Sequence, residues 1–236
     1  MTDKKPQDQD YVPPLGRHGL TDQYDRAIAL MTREKRWRSE LIRRLPPSGG
    51  ARIVDIGCGT GTLAIAIKQA FPDSEVIGID PDRPALDLAR GKAEAAGVAV
   101  QWEQAMGDRA DDIVGSCDVI VSSLVFHQCA IETKQAIADA MFRALRSGGL
   151  MFVADYGLQR SLLMRTLFRQ VQLLDGFDKT EPSAKGCMPG IFVAAGFAEV
   201  TEAKVIQTPT GSISIYEGRK DGAGTQVEPA TSPAAA

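Results

Sequence analysis

Between Val54 and Thr62 the chain places Gly57, Gly59 and Gly61 alternately with Cys58 and Thr60, directly after an apolar run and directly before a helical pattern. Glycine has no Cβ, so such a turn lets backbone approach a ligand closely and sets that ligand at a helix N-terminus. Asp55 stands just upstream of the glycines, and Asp80 closes the next apolar run about twenty residues on. A carboxylate at the end of a second strand can accept hydrogen bonds from both hydroxyls of a ribose. The spacing narrows the ligand further. A dinucleotide fingerprint, G-x-G-x-x-G, requires glycine where this chain has Thr62, and the third glycine comes one residue early. A turn that merely reverses the chain is the plainer alternative, against which Asp55 and Asp80 speak together.

A second group of candidates follows from position alone. In open α/β sheets ligands occupy the crevice beyond the carboxyl ends of the strands. His127, one of 2 histidines, comes just past the fourth predicted strand, and Asp155 and Tyr156 end the fifth. A histidine there is suited to general-base work, with Asp155 and Tyr156 as secondary candidates; packing in the core or at the surface is the competing explanation for His127. His18, in the leading segment, is a weaker choice. The cysteines Cys58, Cys117, Cys129 and Cys187 are far apart and form no C-x-x-C pair, so they read as buried or incidental thiols. Only convergence of three of them in space would let them take a thiophilic metalloid, and no metal site is predicted.

The elements that must hold these residues alternate. After a leading helix from Thr21 and a second from about Arg33, stopped by Pro46-Pro47, come a strand at 51–57 and a helix over 61–70. A strand at 75–80, a helix from Pro84 to about Ala96 and strands at 98–102 and 117–123 follow. Next come a helix at 132–145, a strand at 150–155 and an apolar helix over about 161–174. Such alternation implies a parallel sheet with helices on both faces. Two last strand-like runs, 199–208 and 212–218, are too close for a parallel crossover and must form a hairpin, so the sheet ends on an antiparallel strand. The expected fold is a Rossmann-like α/β three-layer sandwich: a seven-stranded, mostly parallel sheet with a C-terminal antiparallel hairpin strand.

Size and composition agree with one such domain: 236 residues, 44% hydrophobic and 24% charged, with a net charge of -3. No apolar run is long enough to span a bilayer and the first residues lack a secretory core, so a cytoplasmic protein without a transmembrane segment is expected. The acidic balance gives no general pull toward nucleic acid. Polar, proline-containing segments at 1–15 and 220–236 read as disordered. The single domain is placed at 16–219, with a helical lid at 16–48, a core at 49–219 and a substrate-cap insertion at about 157–195.

Asp55-Ile56-Gly57-Cys58-Gly59-Thr60-Gly61 resembles motif I of class I S-adenosylmethionine-dependent methyltransferases, D-x-G-x-G-x-G, throughout. The likeness extends from Tyr24 to about Arg219 and is closest to the ubiquinone/menaquinone-biosynthesis type of small-molecule methyltransferase. Ile79-Asp80-Pro81-Asp82 resembles motif II, Asp118 to His127 the fourth-strand motif, and Leu145 to Leu150 the turn into strand five, with Ser147 where the family usually has proline. The resemblance implies S-adenosylmethionine as cofactor and S-adenosylhomocysteine as product. It implies that the glycine turn (Gly57, Cys58, Gly59, Thr60, Gly61) lies against the methionyl portion and that Asp55 anchors the turn. Asp80 and Pro81 then sit at the ribose, Ser122 contributes at the mouth of strand four, and Tyr24 lies on a covering helix. The family's adenine-binding acidic residue falls at Met106, beside Ala105 and Gly107. Methionine packs on adenine but cannot accept its amino proton, leaving Met106 packing or Asp108 bonding as the two options.

Methyl transfer from a sulfonium needs alignment and exclusion of water more than covalent help from the protein. The expected function is therefore methyl transfer to oxygen, carbon or nitrogen of a small hydrophobic or aromatic acceptor, by a monomer or homodimer. The alternative is a protein of the same fold that binds the cofactor without transferring methyl groups. A nicotinamide oxidoreductase is opposed by Thr62 and the terminal hairpin. Nucleic-acid amino methylation is opposed by Ser122-Ser123-Leu124-Val125, which stands where those enzymes carry an Asp/Asn-Pro-Pro-aromatic motif.

Overall fold

The computed structural model describes residues 31–46 and 49–222. Tyr24, His18, the 1–15 segment, the first leading helix and most of the 220–236 tail lie outside the described residues. Seven strands form one sheet: β1 (Arg52–Ile56), β2 (Glu75–Asp80), β3 (Gln101–Gln104), β4 (Cys117–Ser123), β5 (Leu145–Tyr156), β6 (Ala198–Thr208) and β7 (Gly211–Arg219). Their order is β3-β2-β1-β4-β5-β7-β6. The first five pair in parallel, and β7 runs antiparallel to both β5 and β6. The antiparallel strand is thus inserted one place in from the edge, and the edge itself is β6.

Helices among the described residues are α1 (Glu34–Arg44), α2 (Thr62–Ala70), α3 (Arg83–Ala95), α4 (Ala110–Val114), α5 (Ile131–Ala144), α6 (Leu162–Asp175), α7 (Phe177–Ala184) and α8 (Met188–Ala194). Local chemistry sets several of the starts. The Asp82 side chain accepts from the Ala85 amide ahead of α3, with Pro84 in its first turn, and Ser161 accepts from Met164 ahead of α6. Both residue types satisfy amide groups that a helix end leaves without partners. Apolar side chains of β1, β2 and β4 then pack both ways. One layer holds Val114, Ile137, Met141 and Phe192 of α4, α5 and α8; the other holds Trp37, Leu41, Leu63, Ile67 and Phe168 of α1, α2 and α6. Buried on both faces, the central strands read as nearly unbroken Val and Ile runs.

Three boundaries differ from the sequence pattern. The third strand is Gln101–Gln104, not 98–102, because Gly97 turns with φ 66 and the Val98 amide closes α3 onto the Ala93 carbonyl. Those residues are spent ending the helix before Gln101 can pair with Ile77. The segment from Leu145 to Gly149, expected as a turn, is the bulged start of β5: Leu145 pairs with Cys117 before the register shifts. Lys220 fastens this bulge, its Nζ donating to the Phe142 and Leu145 carbonyls at the end of α5, where a cation is favoured by the helix dipole. The insertion after β5 contains α7 and α8 besides the expected α6.

Strand order reverses beside β1, with β2 on one side and β4 on the other. That arrangement opens a crevice at the carboxyl ends of β1, β2, β4 and β5, which is where the candidate residues converge.

Candidate functional site

A cavity of about 520 Å³ occupies this crevice. Gly57, Cys58, Gly59, Thr60, Asp80, Pro81 and Met106 line one part of it, and His127 and Tyr156 line another. Asp55, Gly61, Ala105, Ser122 and Asp155 stand behind that wall, outside its lining.

The glycine turn is built from backbone. Gly57, Gly59 and Gly61 have φ of 69, 51 and 76, a left-handed conformation that side chains with a Cβ strain to adopt. The Gly57 and Cys58 amides both donate to the Ile79 carbonyl, at 2.8 and 3.0 Å, and the Gly61 amide donates to the Cys58 carbonyl at 2.9 Å. Asp80 accepts from the Gly59 amide at 2.8 Å and from the Asp82 amide at 2.9 Å. With these amides bonded inside the protein, the turn offers the cavity a surface free of side chains more than a row of donors. The three glycines have different reasons. A Cβ at Gly57 would lie 2.2 Å from Val125 Cγ2 and one at Gly61 2.5 Å from the Trp102 ring, whereas one at Gly59 meets no protein atom within 4 Å. Gly59 therefore faces the cavity. Thr60 is tied back by Lys92, whose Nζ donates to its hydroxyl at 2.7 Å.

Beside the turn lies a set of buried polar atoms short of partners: Nε of Arg38, Nε1 of Trp37 and the Asp55 carboxylate, which only the Ala64 amide approaches. Buried polar groups are normally satisfied, so this concentration marks a polar corner. Burial drives the Asp55 carboxyl up to about 8, opposed by the Arg38 charge and assisted by Asp80. Burial also lowers Arg38 to about 10, with Asp55 pulling the other way. Arg38 additionally pairs with Glu34 one turn earlier. Trp37 and Arg38 of α1 line the cavity, and nothing local in their spacing distinguishes them.

Of the two residues expected to meet adenine, Met106 lines the cavity, whereas Asp108 is not part of the lining and has one buried oxygen without a partner. Ala105 packs against the core. Ser122 is fully buried, and its hydroxyl donates to the Ile56 carbonyl at 2.8 Å, locking β4 to β1.

The opposite end is ionic. His127 is buried, with Nδ1 2.7 Å from Asp155 Oδ1 and Nε2 3.3 Å from Asp175 Oδ2. Asp155 is fully buried and also accepts from the Phe126 and Tyr156 amides, each at 2.7 Å. Burial works against charge on the imidazole, but Asp155 and Asp175 outweigh it and raise His127 to about 9. Tyr156 stacks edge-on to His127 with ring centroids 4.9 Å apart, and its hydroxyl bonds Thr210 at 2.7 Å. Burial pushes this phenol up, although the Thr210 bond acts the other way. Leu124, between Ser123 and this cluster, has φ 56, a strained conformation of the kind that gathers at functional sites. Asp175 escaped the sequence reading. A carboxylate in the last turn of a helix opposes the helix dipole, and that oddity was its only signal. The cysteines form no disulfide, and among the described residues no cluster of three or more His, Cys, Asp or Glu is placed to hold a metal ion. No described helix is long and apolar enough to cross a membrane.

Residues 53–149 match the family model described as a methyltransferase domain. The chain is 27% identical over 167 residues to the ubiquinone/menaquinone biosynthesis C-methyltransferase of Syntrophotalea carbinolica, covering 68% of this chain and 70% of that protein. It is 35% identical over 142 residues to the ribosomal RNA large subunit methyltransferase G of Streptomyces coelicolor, covering 57% of this chain but only 37% of that one. In fold it is similar to an O-methyltransferase family protein from Burkholderia thailandensis, with a TM-score of 0.65 and 16% identity, covering 86% of this chain and 60% of that one.

Proposed function

Since the chain belongs to the class I S-adenosylmethionine-dependent methyltransferases, close to the ubiquinone/menaquinone-biosynthesis type, we propose that it methylates a small, apolar acceptor held between the glycine turn and α6. One observation carries this reading: a single cavity runs from Gly59 and Asp80 to His127, Tyr156 and Leu174, so donor and acceptor can share one space.

The residues present fit S-adenosylmethionine. Its amino-acid end has the polarity to meet the unpartnered Nε of Arg38 and Nε1 of Trp37 in the cavity wall, and Gly59 presents no Cβ to obstruct it. Asp80 would hold the ribose with lone pairs beyond those already given to the Gly59 and Asp82 amides, and Met106 would pack on adenine. When bound, the cofactor supplies an electrophilic methyl carbon on a sulfonium centre. The protein's own work is to orient and to exclude water. Leu124, Val125, Val171 and Leu174 give the acceptor end an apolar wall, and His127, backed by Asp155, is the group placed to take a proton there.

The relative that acts on ribosomal RNA raises a second substrate class, but the apolar acceptor wall and Ser122-Ser123-Leu124-Val125 favour a small molecule. Calorimetry with S-adenosylmethionine, followed by turnover on a panel of small phenols, enols and amines and on a ribosomal RNA transcript, tests this. We expect binding and S-adenosylhomocysteine release with small acceptors. Absence of binding would remove the reading, and methyl incorporation into RNA alone would replace the acceptor.

A further inference from the structure

His127 is flanked by two carboxylates that differ in how firmly they are held. Asp155 is fully buried and fixed by two backbone amides as well as by the imidazole. Asp175 is the last residue of α6, its side chain is 29% exposed, and Gly176 follows it with φ 91. The last turn of α6 contains no Lys or Arg, so the dipole there disfavours Asp175 and the imidazolium supplies the offsetting charge. Asp175 also lines the cavity beside Leu174 and Val171.

Among the described residues, the remaining charged groups packed around His127 do not take over this role. From β5 come Asp155 and Tyr156, and from α6 Asp175. From α5, the buried Lys134 interacts with Asp155 and donates its ammonium to the Cys129 and Lys179 carbonyls. From α7, the Lys179 charge acts on Lys134.

We propose that Asp175 is a positioning residue for His127: it holds the imidazole protonated and the end of α6 against the cavity, and it must leave Nε2 before His127 can take a proton from an acceptor. This rests on the reading of the cavity as a methyl-transfer site. With Asp175 in place, Nε2–H faces a carboxylate and the ring has no free lone pair. Once Asp175 swings to solvent, the Nε2 proton passes to water. The acceptor atom then bonds the methyl carbon, the C–S electron pair stays on sulfur, and the acceptor's proton goes to Nε2 and stays there, restoring the imidazolium. Asp175 re-forms the pair after product leaves.

The test uses the full chain, whose 2 histidines make ring-proton NMR simple to assign with a His127→Gln variant. The expected titration midpoint of His127 lies above the ordinary histidine range, falls by about one pH unit or more in Asp175→Asn, and returns toward the original in Asp175→Glu. In the unmodified protein, hydrogen-exchange protection over 172–177, corrected for intrinsic chemical exchange, should drop as pH rises through that midpoint; in Asp175→Asn it should be flat. A midpoint unmoved by Asp175→Asn, or flat protection in the unmodified protein, overturns the role of Asp175. The exchange series needs no variant, so a misfolded substitution does not shield the proposal. Calorimetry with S-adenosylmethionine is run in parallel: lost binding would sink the reading of the cavity and leave the titration as found, whereas an unmoved titration would sink Asp175 and leave binding as found.

Discussion

The two ends of the cavity are made in different ways. The glycine turn and Asp80 come from neighbouring stretches of chain and are closed by short backbone bonds, with the Ile79 carbonyl and the Asp80 carboxylate as anchors. His127, Asp155, Tyr156, Asp175 and Thr210 come from four separate stretches of chain, and His127 is joined to Asp155 and Asp175, and Tyr156 to Thr210, through side chains. The first end is rigid because few dihedrals are free once the amides are bonded. The second is held by charge, and so its geometry depends on protonation. On the proposed reading, a fixed donor cradle beside a pH-sensitive acceptor end suits an enzyme whose cofactor is constant and whose proton transfer must be timed.

The sharpest way to break this contrast is to remove the ionic anchor. Asp155→Ala leaves a buried imidazolium with only the partly exposed Asp175, and strands the Phe126 and Tyr156 amides. Removing one partner of a buried ion pair costs about 3–5 kcal/mol, so denaturant unfolding should move to markedly lower concentration. Cofactor affinity of the molecules that remain folded should hardly change. A variant as stable as the original would mean that the acceptor end is not held by charge.

Gly59→Val probes the other end and should do the reverse. A Cβ there meets no protein atom within 4 Å, so the main cost to the fold is the left-handed strain, about 1–2 kcal/mol. Cofactor affinity, however, should fall by about a hundredfold or more, or roughly 2.7 kcal/mol. Calorimetry and thermal melting on the same sample separate the two effects, and undiminished affinity would place the ligand elsewhere. Gly57→Val is the control, because its side chain meets Val125 at once and the loss should appear in stability first. A smaller effect is expected from Asp80→Ala, on the order of 1–3 kcal/mol of affinity from lost charged hydrogen bonds. Part of that would come from a Gly59 amide left without its acceptor, and unchanged affinity would mean that the ribose is held by other groups.

This asymmetry also explains what the sequence made legible. Gly57, Gly59, Gly61 and Asp80 act through local backbone geometry, which leaves a fixed spacing in the chain, and the strand-helix alternation followed from periodicity. β3 was misplaced by its alternating Val98, Val100 and Trp102, since the pattern carries no sign that Gly97 and Val98 are taken up in closing α3. Trp37, Arg38 and Asp175 reach the cavity only through tertiary packing, for which no spacing rule exists. His127 was found by position, but the second carboxylate that sets its charge lies 48 residues further along.

The finest test concerns the polar corner at Asp55, which behaves unlike either end. Its folded value of about 8 lies above the 3.8 of a free carboxyl. Its contribution to stability is therefore full below pH 3.8 and lost as pH rises through about 8. His127, raised from 6.5 to about 9, acts in the same direction, full below 6.5 and lost through 9. At pH 7 Asp55 is thus largely protonated in the protein alone, and a cofactor ammonium brought beside it favours the carboxylate. Binding of S-adenosylmethionine at pH 7 should accordingly release a fraction of a proton, seen as a binding enthalpy that changes with the ionisation enthalpy of the buffer. The release should fade by pH 9, where Asp55 is already ionised, and disappear in Asp55→Asn at any pH. Equal release in that variant would assign the proton to another group and leave Asp55 as a purely structural acid beneath the glycine turn.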